Sequence, residues 1–63
     1  MEIKEIRDIT GLTQRQFAEK YNIPFSTYQK WEAPLKSMNH RDCPIYVKEL
    51  LERVVREDFL NNH

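Results

Sequence analysis

Three residues near the middle of the chain carry side chains suited to reading a polar surface: Ser26, Gln29 and Lys30. Their spacing, i, i+3, i+4, puts them on one face of a helix, with Tyr28 and Trp31 on the opposite face. A glutamine can pair bidentately with adenine, a serine hydroxyl can donate or accept at either base type, and a lysine reaches guanine or a phosphate. A short polar strip with a greasy back is the chemistry of a helix laid against base edges. Upstream, Gln14 and Arg15 open a second helical segment, whose free first-turn amides and positive dipole end suit a phosphate. Lys36, Arg41 and a protonated His40 would add positive charge toward flanking phosphates, unless their segment is only a flexible connection.

Other chemistries find little to build on. His40-x-x-Cys43 offers two soft ligands, with His63 a distant third, where a closed zinc site needs four. Neither a metal nor a cofactor is expected. Cys43 reads as a small filler or cap beside the last helix, and both histidines as solvated loop or tail residues. Glu49, Glu52, Glu57 and Asp58 alternate with Lys48, Arg53 and Arg56, and Glu49 and Arg53 make a routine i, i+4 pair. No glycine-rich phosphate loop, nucleophile elbow or metalloprotease motif is present. Tyr21, Tyr28 and Trp31 stand at core spacing and read as packing. The chain reads as a binding protein, not an enzyme.

Size and composition agree. Sixty-three residues make one small domain, 1–63, with little room to wall a water-excluding cleft. One cysteine allows no internal disulfide, so a cytoplasmic setting is expected. The first ten residues carry five charges in place of an apolar leader. No apolar run approaches the roughly 20 residues of a membrane span. Net charge is zero, yet between Thr13 and Arg41 five basic residues stand against two acidic ones.

The positioning elements are helices. Ile3, Ile6 and Thr10 give helical spacing over Glu2 to Thr10, and Gly11 suits the left-handed residue that ends a helix. Thr13-Gln14-Arg15-Gln16 fits a capping box, with Leu12 and Phe17 placed as its hydrophobic staple. Phe17, Ala18 and Tyr21 share a face, and Asn22 can end that helix in the left-handed region. The third helix is expected from Pro24 or Phe25 to Glu32, with Ile23 as a staple against Tyr28; Ser26-Thr27-Tyr28-Gln29 is a rival start. Residues 33–43 form a long loop. The last helix should run over 44–59 with Asp42 or Cys43 as its cap, and Val47, Leu50, Leu51, Val54 and Val55 make a broad apolar stripe that Phe59 extends. Asn61, Asn62 and His63 should fray.

Two helices joined by Tyr21-Asn22-Ile23-Pro24 make a helix-turn-helix over residues 13–32. The run Leu12-Thr13-Gln14-x-x-Phe17-Ala18-x-x-Tyr21-Asn22-Ile23-Pro24-x-x-Thr27-Tyr28-x-x-Trp31-Glu32 resembles the phage repressor and Cro-type (XRE-like) family almost position by position. The resemblance is close over Ile3 to Glu32 and looser over Pro44-x-Tyr46-Val47-x-x-Leu50-Leu51. It implies an all-α, compact four-helix, lambda-repressor-like domain that binds double-stranded DNA. It also implies base contacts from Phe25, Ser26, Gln29 and Lys30, a backbone grip and brace from Gln14, and an ion pair between Arg7 and Glu32. The chain departs from the family at Asn22, usually glycine, at Pro24, usually a serine or threonine cap, and at Phe25, usually polar. Phe25 can press on a thymine methyl or fold over the core. The family's usual fifth helix has no room here.

The expected core is Ile6, Leu12, Phe17, Ala18, Tyr21, Ile23, Tyr28, Trp31, Val47, Leu50 and Leu51. Gln14, Arg15, Lys36 and Arg41 are the expected phosphate contacts. One recognition helix reads only a few base pairs, so a homodimer on a palindromic operator is expected, acting as a regulator of phage, mobile-element or antitoxin type. Its surface would be Val54, Val55 and Phe59, unless these only close the core. The rival reading is a protein-binding module on the same scaffold, such as a phage-encoded inhibitor or accessory factor.

Overall fold

Gly11 and Asn22 divide the first half of the chain into three short helices. Both adopt the left-handed region, Gly11 at φ 71° and Asn22 at φ 58°. In the computed structural model, which describes residues 1–60, α1 covers Ile3–Thr10, α2 Gln14–Lys20, α3 Phe25–Glu32 and α4 Ile45–Val55. A π-helical turn over Arg56–Leu60 continues α4. No strand forms among the described residues. Asn61, Asn62 and His63, expected to fray, lie outside them.

Local chemistry explains each boundary. The Glu2 amide donates to Glu5 Oε1 at 2.8 Å at the head of α1. The Gln16 amide donates to Thr13 Oγ at 3.1 Å and the Thr13 amide to Gln16 Oε1 at 3.0 Å, closing both halves of the capping box. Helix α3 takes the earlier of its two starts, with Pro24 as the residue before the first turn and its carbonyl accepting from Tyr28 at 3.0 Å. Pro44 holds the same place before α4, correcting the expected cap at Asp42 or Cys43; neither proline supplies a capping oxygen.

Helix α2 lies on α3, and α1 packs against α2, α3, α4 and the π-helical turn. The buried centre is Ile3 and Ile6 from α1, Phe17 and Ala18 from α2, Tyr28 from α3, then Cys43, Leu51 and Val55. Phe17 is its aromatic hub, 5.0 Å from the Tyr21 ring and 5.3 Å from Tyr28. Leu12, Tyr21, Ile23, Trp31 and Val47, expected inside, are partly buried at the margin of this cluster.

Helix α4 corrects the expected place of Leu50 and takes the core-closing alternative for Val55. Leu50 is 56% exposed and Val55 fully buried. Val47, Leu51 and Val55, at i, i+4, i+8, form the inward ridge, so Leu50 is turned about 100° away from Leu51. Phe59 is partly buried against the core as well, which leaves Val54 as the exposed member of the expected dimer trio.

A Cβ built on Gly11 would meet no neighbour within 4 Å, so backbone conformation alone selects glycine there. Gly11→Ala should cost about 1 kcal/mol, read as a lower urea midpoint at unchanged slope, and Gly11→Asn should cost less.

Candidate nucleic-acid interface

A single carboxylate sets the angle between the helices of the motif. Glu32 Oε2 accepts from Arg7 Nε at 2.8 Å, and Oε1 from Arg7 Nη2 at 3.2 Å and Gln14 Nε2 at 2.9 Å. The Tyr28 hydroxyl donates to Oε2 as well. Arg7 Nη1 continues to the Leu12 carbonyl at 2.9 Å. One node therefore ties α1, the α1–α2 turn, α2 and α3 together. The Arg7–Glu32 pair expected from the family resemblance is its centre. Gln14 was expected from the resemblance to brace the recognition helix, and Glu32 is where it does so. Tyr28 was not assigned to the node from sequence; its i, i+4 spacing from Glu32, with a buried tyrosine needing a partner, was the available signal.

The electrostatics follow from that crowding. Burial pushes the Glu32 carboxyl upward, but hydrogen bonds from Arg7, Tyr28 and Gln14 outweigh it and hold the group below its ordinary 4.5. The hydrogen bond to Glu32 raises Arg7. Burial, then the bond to Glu32, pushes the Tyr28 phenol far up. Tyr21 is raised likewise by burial and by its 2.9 Å bond to Asp58.

The outer face of α3 is open. Ser26, Gln29 and Lys30 are exposed, and with Ala33, Ser37 and Asn39 they line a groove of about 320 Å³. Ser37 and Asn39 were not among the expected contact residues. They reach this face because the 33–43 segment is docked on the end of α3. The Arg41 amide donates to the Lys30 carbonyl at 3.0 Å, and His40 Nδ1 lies 2.8 Å from the Ala33 carbonyl. The loop thus satisfies carbonyls that the helix end leaves open. This corrects the solvated-loop reading of His40, whose Nε2 also pairs with Asp42 at 2.8 Å. The hydrogen bond to Asp42, then that to Ala33, raises its pKa.

The other expected contact residues divide. Lys36 stands exposed on the loop. Arg41 is turned back on the Met38 and His40 carbonyls, at 3.4 and 2.8 Å. Gln14 gives an amide hydrogen to Glu32, which makes it a brace. Phe25 is partly buried against the core with the Arg15 guanidinium 4.2 Å from its ring centre. His40 and Cys43 gather no third metal-ligating residue among the described residues.

The basic side chains separate by position. Lys4, Arg7, Lys48 and Arg56 each pair with a carboxylate, at 3.2, 2.8, 3.8 and 3.2 Å. Arg15, Lys20, Lys30, Lys36 and Arg41, the lysines and arginines of α2, α3 and the loop, have no carboxylate within 4.0 Å among the described residues. Outside that stretch Arg53 alone shares this state among the described residues.

Because native Glu32 titrates below 4.5, the node contributes fully above that pH and weakens as pH falls through the lower native value. Glu32→Gln should cost about 3 kcal/mol at neutral pH, since Arg7 keeps its charge without a partner. It should also flatten the acid limb of stability against pH, measured by urea unfolding; an unchanged acid limb contradicts the assignment.

Residues 3–33 match the model of a helix-turn-helix family. No curated protein and no solved structure matches the chain significantly. The match spans α1, both helices of the motif and the Glu32 node that joins them. Over residues 3–33 the chain is therefore an XRE-type helix-turn-helix, the module of a family of DNA-binding regulators.

Proposed function

We propose that the protein is a sequence-specific double-stranded DNA-binding regulator of transcription, of phage, mobile-element or antitoxin type, acting in the cytoplasm. Helix α3 enters the major groove with Ser26, Gln29 and Lys30 toward base edges. Arg15 and Lys36 meet backbone phosphates, and Arg41 joins them through the guanidinium N–H groups that the Met38 and His40 carbonyls leave free. Regulation is by occupancy: covering an operator excludes polymerase or positions it. The observation that carries this reading is the segregation of cations. Among the described residues the lysines and arginines of α2, α3 and the loop have no carboxylate within 4.0 Å, whereas all but one of the others are paired with one. A neutral chain can then still present a positive face to phosphates.

The test is selection of duplexes from a random pool, followed by titration over a range of salt. Affinity should fall linearly on a log–log salt plot. Gln29→Ala should cost about 1–3 kcal/mol and relax preference at one base position. Leu35 and Met38 are 83% and 94% exposed on the loop, the observation favouring a protein-binding module instead. Shallow salt dependence with no enriched duplex would support that alternative.

A homodimer on a palindromic site supplies the selectivity one helix lacks. Its proposed surface is now Tyr46, Leu50 and Val54, exposed at i, i+4, i+8 along α4. Such a ridge is the unit of the commonest helix crossing. Leu50→Glu should yield monomers by sedimentation equilibrium with the helical circular dichroism retained; an unchanged mass rejects this surface.

A further inference from the structure

Among the free cations, Arg15 has a built platform. Its guanidinium lies 4.2 Å from the centre of the Phe25 ring, while Lys20 stands 5.6 Å from the Tyr21 and Phe59 rings. Arg15 is the second residue of α2 and Phe25 the first of α3, so the stack bridges the opening turns of the two motif helices. Arg15 is exposed and makes no hydrogen bond or ion pair among the described residues. Phe25 is half-buried against the core and covered by Arg15, so its ring is not offered to a base.

We propose that Phe25 is a positioning residue for DNA backbone recognition: its ring holds the Arg15 guanidinium so that the edge of the fork takes one phosphate bidentately. The inference rests on the DNA-binding reading above. Stacking engages the π-face of a guanidinium and leaves its five in-plane N–H donors free. A planar fork matches two phosphate oxygens in a way a point charge cannot. A free arginine carries about 2 kcal/mol of rotamer entropy, part of which is lost on contact. A ring that restricts the side chain beforehand lowers that loss. An aromatic residue at the head of α3, in place of a polar base-reader, then acts through its neighbour. Phosphate contact of this kind strengthens binding to all sequences alike and leaves base preference to Ser26, Gln29 and Lys30.

Two measurements test it, with Phe25→Leu, Phe25→Tyr, Arg15→Ala and the Phe25→Leu/Arg15→Ala double variant. In the free protein, proton NMR should show the Arg15 δ and ε protons shifted upfield by the ring current. The shift should vanish in Phe25→Leu and persist in Phe25→Tyr; its absence from the unaltered protein overturns the stack itself. The second measurement titrates a duplex selected from a random pool by the unaltered protein. Arg15→Ala should lose about eightfold in affinity at 0.1 M salt and lower the salt slope by about 0.9, the counterion release of one phosphate. Phe25→Leu should lose about threefold without changing base preference, and Phe25→Tyr should bind as the parent does. The double variant should bind no worse than Arg15→Ala alone, to within about twofold. Additive losses, or a relaxed preference at one base position in Phe25→Leu, overturn the positioning role while the DNA reading stands. Failure of the unaltered protein to enrich any duplex overturns both.

Discussion

Glu32 is the constraint on which the motif depends. Its carboxylate, nearly covered at 4% side-chain exposure, accepts from α1 through Arg7, from α2 through Gln14 and from α3 through Tyr28. A charge so enclosed is tolerated only when its lone pairs are filled, and here every filling donor comes from a different helix or from the buried face of α3 itself. The packing of Ile6, Phe17, Ala18 and Tyr28 brings the three helices together without a unique angle between them, because apolar contact is non-directional. The node adds direction. With Tyr28 and Glu32 engaged inward, Ser26, Gln29 and Lys30 are left on the outside as an exposed strip.

The same division between engaged and free groups runs through the charges. Cations away from the motif, Arg53 excepted, are paired with Asp8, Glu2, Glu52 or Glu32, so they contribute to the fold and little to the external field. The lysines and arginines on α2, α3 and the loop have no carboxylate partner among the described residues. The loop joins this surface because backbone bonds from Arg41 and His40 close the end of α3. Its Ser37 and Asn39 thereby extend the groove beside Gln29 and Lys30.

What was legible in the sequence was local. The Thr13 box, Gly11, Asn22 and the polar strip of α3 each depend on a few neighbouring residues. The Arg7–Glu32 pair was legible through family resemblance, although its partners are 25 residues apart. What was not legible was rotational or long-range. The stripe of α4 is too broad to reveal its inward ridge, so Leu50, expected inside, is turned out and Val55, left open between dimer and core, is turned in once α1 packs on Val47, Leu51 and Val55. The docking of 33–43 depends on carbonyls at the end of α3, which no pattern of side chains displays. Arg15 over Phe25 likewise joins two helices whose relative angle is a tertiary property.

The central claim is that the strip held outward by Glu32 is the surface that meets duplex DNA. The most direct measurement is a residue-resolved NMR titration of the intact protein with a duplex selected from a random pool. The account predicts that amide shifts concentrate at Arg15, Ser26, Gln29, Lys30, Ser37 and Asn39, with Lys4, Glu5 and Asp8 of α1 unmoved. Shifts confined to Leu35, Met38 and Ile45, with Gln29 unmoved, would contradict it.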